Sequence, residues 1–188
     1  MDGRANNKII VTTKDIAFIA MCAAILFIQE ELLTFIPNVQ LTIFLLVLFS
    51  KKLGFFRTTI IVIIHVLLDN LIMGSLNLFY TPAMFIGWMF IPIVISCFCK
   101  RIENPILLGV FGCICAFLYC WTFIVPNVIL YKIDPVAYLL SDIIFELILA
   151  ACGFITTAIL YSPCSNLFDR LGITKTKKNI WGCKEIKI

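Results

Sequence analysis

The sequence HVLLDNLIMGSLNLFYTPAMFIGW, from His65 to Trp88, decides how the rest of the chain is interpreted. An apolar helix acquires His65, Asp69 and Asn70 near its end, and the glycine and polar residues that follow predict a turn. A second apolar helix begins at Thr81. Because ionisable groups at the edge of hydrocarbon are costly and usually functional, we expect this helical hairpin to form one wall of a small-molecule pocket.

The composition of the chain is that of a membrane protein. Of its 188 residues, 62% are hydrophobic and 14% are charged, against about 45–50% and 25% in an average soluble domain. The apolar runs lack the polar stripe of a soluble amphipathic helix, so each run predicts a membrane span. We expect one compact all-α domain, a multi-pass helical bundle in the cell membrane.

Six apolar runs predict six transmembrane helices. They cover about residues 15–35, 39–50, 56–73, 81–99, 105–125 and 136–161. The second run is short for a hydrocarbon core of about 30 Å, so we expect its neighbours to shelter it or the preceding PNVQ segment to extend it. The membrane domain then covers residues 15–161, between a cytoplasmic N-terminal segment at 1–14 and a basic cytoplasmic tail at 162–188.

The positions of the basic residues orient this bundle. Six spans with both termini inside place fourteen of the fifteen Lys and Arg residues on the cytoplasmic side, with Lys132 outside. Dropping any one span destroys this agreement. We therefore interpret the net charge of +4 as a topology signal rather than as the sign of a nucleic-acid or acidic partner.

In this orientation the polar residues of the spans gather on the outer side. The cytoplasmic halves are almost purely apolar, whereas a proton or ion conduit needs ionisable groups throughout the membrane. The sequence therefore predicts a polar cup that is open on one side. Its candidate substrate-binding residues are Glu30, Glu31, Asn38, Gln40, His65, Asp69, Asn70, Asn77, Tyr80, Trp88, Asp142 and Glu146.

Two pairs of ionisable residues define the cup further. His65 and Asp69 lie four residues apart, as do Asp142 and Glu146, so each pair shares one helix face. Each pair could instead serve the fold, by internal pairing or by capping a helix end. The surplus of carboxylates over cations favours a substrate with a positive or hydrogen-bond-donating group. Aromatic residues such as Trp88 could stack on a planar ring or anchor the helices at the membrane interface.

The sequence lacks the signatures of several catalytic classes. It has no GxxxxGKS/T phosphate loop, no HExxH and a single histidine, so we expect no enzymatic activity, and active transport would need energy from another subunit. The nine cysteines form no CxxC, and we interpret them as packing residues rather than ligands of a metal or cofactor. Cys97 and Cys99, beside basic residues, could be acylated.

A stripe of small residues lies on the first helix. Ala17, Ala20 and Ala24 follow i, i+3, i+7 spacing. Small residues at this spacing let another helix approach closely, from the same chain or from a partner.

With these features the chain resembles the substrate-binding S component of an energy-coupling factor (ECF) vitamin transporter. The resemblance rests on six spans in 188 residues, the alanine stripe, the PNVQLT segment at residues 37–42, and the Asp69-Asn70, Thr81-Pro82 and Gly87-Trp88 pairs of the hairpin. It covers most of residues 15–161.

The resemblance implies a membrane subunit that captures a water-soluble vitamin or precursor from outside and topples in the membrane to release it inside. It implies a transmembrane scaffold subunit, contacted by the stripe of Ala17, Ala20 and Ala24, and two cytosolic ATPase subunits. The alternative from another class is a non-transport assembly or regulatory membrane protein whose polar cup binds a protein partner.

Overall fold

The helices of the chain follow the apolar runs of its sequence. A computed structural model describes residues 13–72 and 76–171, which contain seven α-helices and no strand. The helices are α1 (Thr13–Leu33), α2 (Thr42–Lys52), α3 (Phe55–Ile72), α4 (Tyr80–Cys97), α5 (Pro105–Thr122), α6 (Ile124–Tyr131) and α7 (Pro135–Arg170). For this part of the chain the prediction of an all-α fold is confirmed.

Five stretches of the described chain are long and apolar enough to cross a membrane. They are residues 15–33 of α1, the whole of α3, α4 and α7, and α5 together with α6. No more than 39% of any stretch is buried inside the bundle, and large apolar side chains such as Leu32, Leu140 and Ile159 are exposed. Since so much apolar surface needs hydrocarbon around it, the chain is a membrane protein.

Helix α2 lies in the middle of the bundle. It has 11 residues, which is about 16 Å at 1.5 Å per residue and too short to cross the hydrocarbon core alone. Residues 42–50 are all buried, and the helix packs against α1, α3, α4, α5 and α7. Its neighbours therefore shelter this short run, and the PNVQ segment does not extend it as a helix. The prediction of six full spans is not confirmed.

Two glycines make room for α2. A Cβ added at Gly112 of α5 would lie 2.9 Å from Cγ2 of Ile43, and one added at Gly153 of α7 would lie 2.7 Å from Cδ1 of the same side chain. Ile43 is completely buried. Because real side chains do not approach this closely, the two glycines are what allow α2 to lie in the groove between α5 and α7.

Two of the apolar runs end later than the sequence predicts. The fifth, expected to end near residue 125, is interrupted at Phe123 and resumes as α6. The sixth, expected to end near residue 161, continues as helix to Arg170. The extension is held by packing, because the ring of Phe168 lies 5.9 Å from that of Phe18 and 6.2 Å from that of Phe49.

Charged side chains connect the helices at one end of the bundle. At this end α1, α3 and α5 begin and α2, α4 and α7 end. Nζ of Lys51 donates hydrogen bonds to the carbonyl oxygens of Cys99, Lys100 and Ile102, at 3.1, 3.1 and 2.7 Å. Arginine and lysine side chains also form ion pairs here, Arg57 with Asp15 and Lys52 with Asp169. These contacts hold the predicted cytoplasmic end together.

The two cysteines considered for acylation differ in access. Cys97 is exposed and Cys99 is buried. Burial raises the pKa of the Cys99 thiol, and nearby Lys51 opposes that rise. Since acylation needs an accessible thiolate, Cys97 is the better candidate of the two.

Replacing Gly153 tests the packing of α2. We expect Gly153→Leu to destabilise the protein, because overpacking costs about 1–3 kcal/mol, more than the ~0.8 kcal/mol gained when glycine leaves a helix. Thermal unfolding of the purified protein in detergent measures the effect. Ala151→Leu is the matched control, since Ala151 is exposed on the same helix. Equal melting temperatures for the two variants would contradict this packing.

Candidate functional site

The predicted cup residues lie at the opposite end of the bundle from the Lys51 contacts. Glu30 and Glu31 belong to the end of α1, His65, Asp69 and Asn70 to the second half of α3, and Tyr80 and Trp88 to the first half of α4. Asp142 and Glu146 lie in the first third of α7. Helices α1 and α3 run from the Lys51 end towards this end, and α4 and α7 run the other way, so these segments meet at one end.

A histidine–carboxylate contact lies inside this site. Nε2 of His65 is 3.1 Å from Oε2 of Glu30, and His65 is 0% exposed. Neither ring nitrogen of His65 nor Oε2 of Glu30 makes a hydrogen bond within the described chain. The contact is therefore electrostatic without an aligned hydrogen bond. His65 pairs across helices with Glu30, while Asp69 lies close enough to interact electrostatically with His65, Glu30 and Glu31.

Trp88 is packed between helices rather than placed at the membrane surface. Its ring is fully buried, stacks on Tyr119 with centroids 3.9 Å apart, and lies 6.4 Å from the ring of His65. Gly87 permits this approach of α4 to α5, since a Cβ there would lie 2.6 Å from Cδ2 of Tyr119. The indole Nε1 has no hydrogen-bond partner among the described residues. Because Trp88 is buried between helices, it does not serve as an aromatic anchor at the membrane interface.

Asp142 and Glu146 have separate partners and do not pair with each other. The hydroxyl of Tyr138 donates to Oδ2 of Asp142 at 3.4 Å, and Nε1 of Trp121 donates to Oε2 of Glu146 at 3.3 Å. Glu146 is 1% exposed, and its Oε1 makes no hydrogen bond within the described residues. One oxygen of this buried carboxylate is thus available to a ligand.

A cavity of about 470 Å³ opens beside these groups. Four of the predicted site residues line it, and four further lining residues are apolar or aromatic: Asp69, Asn70, Asn77 and Tyr80, with Leu76, Met84, Phe123 and Tyr131. Its volume falls within the range of about 300–1,000 Å³ that small-molecule pockets occupy. The wall combines polar groups with apolar and aromatic side chains in about equal measure, which is more polar than the usual small-molecule pocket.

Hydrogen bonds hold the cavity wall in place. Oγ1 of Thr81 donates to Oδ1 of Asn70 at 2.9 Å and accepts from the backbone N–H of Asn77 at 3.3 Å. The hydroxyl of Tyr80 donates to Oδ1 of Asn127 at 2.9 Å, which ties α4 to α6. Both polar atoms of the Asn70 amide are hydrogen-bonded, since its Oδ1 accepts from Thr81 and its Nδ2 donates to the Val66 carbonyl at 2.8 Å.

Asn38 and Gln40 form hydrogen bonds within the bundle and do not line the cavity. Asn38 has a positive φ of 58°, and its Nδ2 donates to a backbone carbonyl of α7 at 3.0 Å. Oε1 of Gln40 accepts from Oγ1 of Thr42 at 2.9 Å. Gln29, which was not among the predicted site residues, accepts from the N–H of Leu41 at 2.7 Å and donates to Thr42 at 2.8 Å. Gln29 and Gln40 therefore hold the start of α2, and Asn38 holds the segment before it against α7.

Sequence reasoning missed the three aromatic residues that complete the site. Tyr119 stacks on Trp88, and Trp121 and Tyr138 donate to the α7 carboxylates. All three lie in apolar runs, where an aromatic residue fits the pattern of a membrane span and gives no separate signal of function. The available signal was the polar atom that each carries, because a buried tyrosine or tryptophan usually needs a hydrogen-bond partner.

Buried polar atoms without a partner are concentrated in this site. Five of the residues that carry one are predicted site residues: Glu30, Glu31, His65, Trp88 and Glu146. In the part of the chain that the structure describes, Thr157 is the one other residue of this kind. Since the great majority of buried polar atoms are hydrogen-bonded, such a group implies partners supplied by a ligand or by water.

The described groups of this site can form hydrogen bonds and stacking contacts with a small molecule. The nitrogens of His65 have no hydroxyl or thiol hydrogen-bonded to them, so the described residues form no nucleophile–histidine pair. They also contain no group of three or more His, Cys, Asp or Glu side chains placed to hold a metal ion. What remains is a set of fixed donors, acceptors and aromatic faces around a cavity.

No family model matches the chain, and neither a curated protein nor a solved structure matches it significantly. Arguments about function therefore rest on the composition and geometry of the site.

Thr81 offers a test of the hydrogen bonds that shape the cavity. Thr81→Val keeps the side-chain shape but leaves Oδ1 of the buried Asn70 without its donor, so we expect a loss of about 1–3 kcal/mol in the free energy of unfolding. Thr59→Val is the control, because Oγ1 of Thr59 bonds only to a carbonyl of its own helix. Thermal unfolding in detergent compares the two. A Thr81 variant as stable as the Thr59 variant would contradict this role.

Proposed function

We propose that the chain is the substrate-capture subunit, or S component, of an ATP-driven uptake transporter for a vitamin or vitamin precursor. The single observation that carries the proposal is the cluster of buried, unpartnered polar atoms beside a cavity at one end of an apolar membrane bundle. The substrate would bind there from outside the cell. Energy would come from two cytosolic ATPase subunits through a transmembrane scaffold subunit.

The position of α2 supports capture rather than conduction. Its residues 43–49, IFLLVLF, are all apolar and buried, and they fill the middle of the bundle. A polar substrate or an ion has no hydrated route past such a plug. A substrate held in the cup can reach the other side only if the whole subunit moves, which is the motion that the S-component resemblance implies.

The distribution of charge supports six crossings with both termini in the cytoplasm, α2 being a short, sheltered crossing. Lys51, Lys52 and Arg57 lie at the end opposite the cup. Lys132, between α6 and α7, lies at the cup end. Because basic loops stay on the cytoplasmic side, the cup then faces the outside of the cell membrane.

The alanine stripe of α1 supports a contact with a scaffold subunit. Ala17, Ala20 and Ala24 are all exposed, so the described helices do not use them for packing within the chain. Small residues on an exposed helix face allow a second helix to approach closely.

Reporter fusions test this orientation. Alkaline phosphatase fused after Lys132 should be active in a bacterial host, and the same enzyme fused after Ile188 should be inactive, because it folds only outside the cytoplasm. Green fluorescent protein at the two positions should give the opposite pattern. Active phosphatase at the C-terminus would refute the proposed topology.

Binding and uptake test the function itself. Purified protein should bind at least one member of a panel of water-soluble vitamins with a dissociation constant of micromolar or better, measured by isothermal titration calorimetry. The double variant Ala20→Trp/Ala24→Trp should retain that binding and lose uptake in cells, because the bulky side chains keep the scaffold away.

Ala151→Trp is the matched control for the uptake experiment, since Ala151 is an exposed alanine of α7 outside the stripe. Uptake that survives in the double variant would refute the scaffold contact. Co-purification separates the alternatives: scaffold and ATPase subunits are expected, whereas an unrelated partner and no bound vitamin would favour an assembly or regulatory protein.

A further inference from the structure

We infer that the ligand of the cup is an organic cation that carries a flat aromatic ring. The inference rests on the proposed function, since it assigns a substrate class to the same site. It follows from three features: uncompensated carboxylates, aromatic walls, and buried donors that lack acceptors.

The cup carries far more negative than positive groups. Its carboxylates are Glu30, Glu31, Asp69, Asp142 and Glu146. Within residues 13–72 and 76–171, the lysine and arginine ion pairs found lie at the opposite end, where Lys51 pairs with Glu103 at 3.2 Å. Among the described residues, His65, already in contact with Glu30, is the side chain inside the cup that can become positive, while Lys132 is exposed on the loop at this end. A cationic ligand would supply the missing charge.

Because the carboxylates are buried, the lack of positive partners costs free energy. Oε1 of Glu146 and Oε1 of Glu31 are shielded from solvent and lack a hydrogen-bond partner within the described residues, and Oε2 of Glu30 has the contact with His65. A buried carboxylate without a partner is strongly unfavourable. An anionic ligand would repel these oxygens and a neutral ligand could only donate a hydrogen bond to them, whereas a protonated amine or a cationic nitrogen ring would also compensate their charge.

The walls of the cavity suit a flat cation. Asp69 shares the cavity with the rings of Tyr80, Phe123 and Tyr131, and the rings of Tyr80 and Phe123 are nearly parallel, with centroids 6.1 Å apart. Aromatic faces attract cations through the ring quadrupole and also stack on planar ligands. One carboxylate among three aromatic rings is therefore a built site for a positively charged ring.

Two buried donors add a requirement for an acceptor. Nε1 of Trp88 and the ring of His65 are fully buried and make no hydrogen bond in the described chain. The centroids of the two rings lie 6.4 Å apart, and neither ring is part of the cavity wall, so a ligand group that bonds to them has to extend from the cavity between α3 and α4. A ring nitrogen or a hydroxyl oxygen on the ligand would satisfy them, so the ligand is a polar heterocycle rather than a simple alkylammonium ion.

Calorimetry with probes sorted by charge tests the assignment. The cationic probes are thiamine and pyridoxamine, the neutral probes are pyridoxine and nicotinamide, and the anionic probes are pyridoxic acid and biotin. We expect a cationic probe to bind at least tenfold more tightly than any neutral or anionic one. A neutral or anionic probe that binds more tightly would overturn the assignment and leave the proposed function intact. Absence of binding by every probe and every other water-soluble vitamin would overturn both.

Isosteric variants then test the carboxylates. Asp69→Asn and Glu146→Gln should each weaken binding of the cationic probe at least tenfold, while Glu103→Gln, at the exposed opposite end, should leave the affinity unchanged. The melting temperature without ligand shows whether each variant is folded. One folded cup variant is enough to test the charge argument. A folded cup variant that keeps the full affinity for the cation would refute the charge argument.

Discussion

The burial of one short helix is the constraint on which the rest of this structure depends. Helix α2 is too short to cross the hydrocarbon core and so has to be enclosed by longer helices. Gly112 and Gly153 leave the space into which Ile43 fits. Residues 42–50 of this helix are buried, so the backbone groups at its start need protein partners, and Gln29 supplies one by accepting from the N–H of Leu41.

The same constraint explains why the polar groups gather at one end. Polar side chains lie at the start of α2, where Gln29 and Gln40 bond to Leu41 and Thr42. Polar side chains are tolerated at that position because they contact one another, as His65 and Glu30 do. At the other end, where α2 ends, Lys51 donates to three backbone carbonyls and Lys52 pairs with Asp169.

Hydropathy and charge are enough to predict most of the helices and the gathering of polar residues at one end of the bundle, because both follow from the free energy of placing a side chain in lipid. They do not predict the burial of α2, since hydropathy does not distinguish protein neighbours from lipid. They also fail at the end of α7, where contacts of Phe168 continue the helix beyond the apolar run. Helical spacing placed His65 and Asp69 on one face but could not show that His65 contacts Glu30 on α1.

The site residues differ in how much hydrogen-bonding capacity the fold leaves them. Asn38, Gln40 and Asn70 already bond to backbone or neighbouring side chains, so a ligand that engages them has to replace existing bonds. His65, Trp88 and Glu146 are buried with atoms that have no partner in the described chain. A new bond to such an atom removes a desolvation penalty without breaking another bond. Under the proposed function, affinity and selectivity should therefore come chiefly from this second group, while Asn70 holds the cavity wall and Asn38 and Gln40 hold the segment that leads into α2.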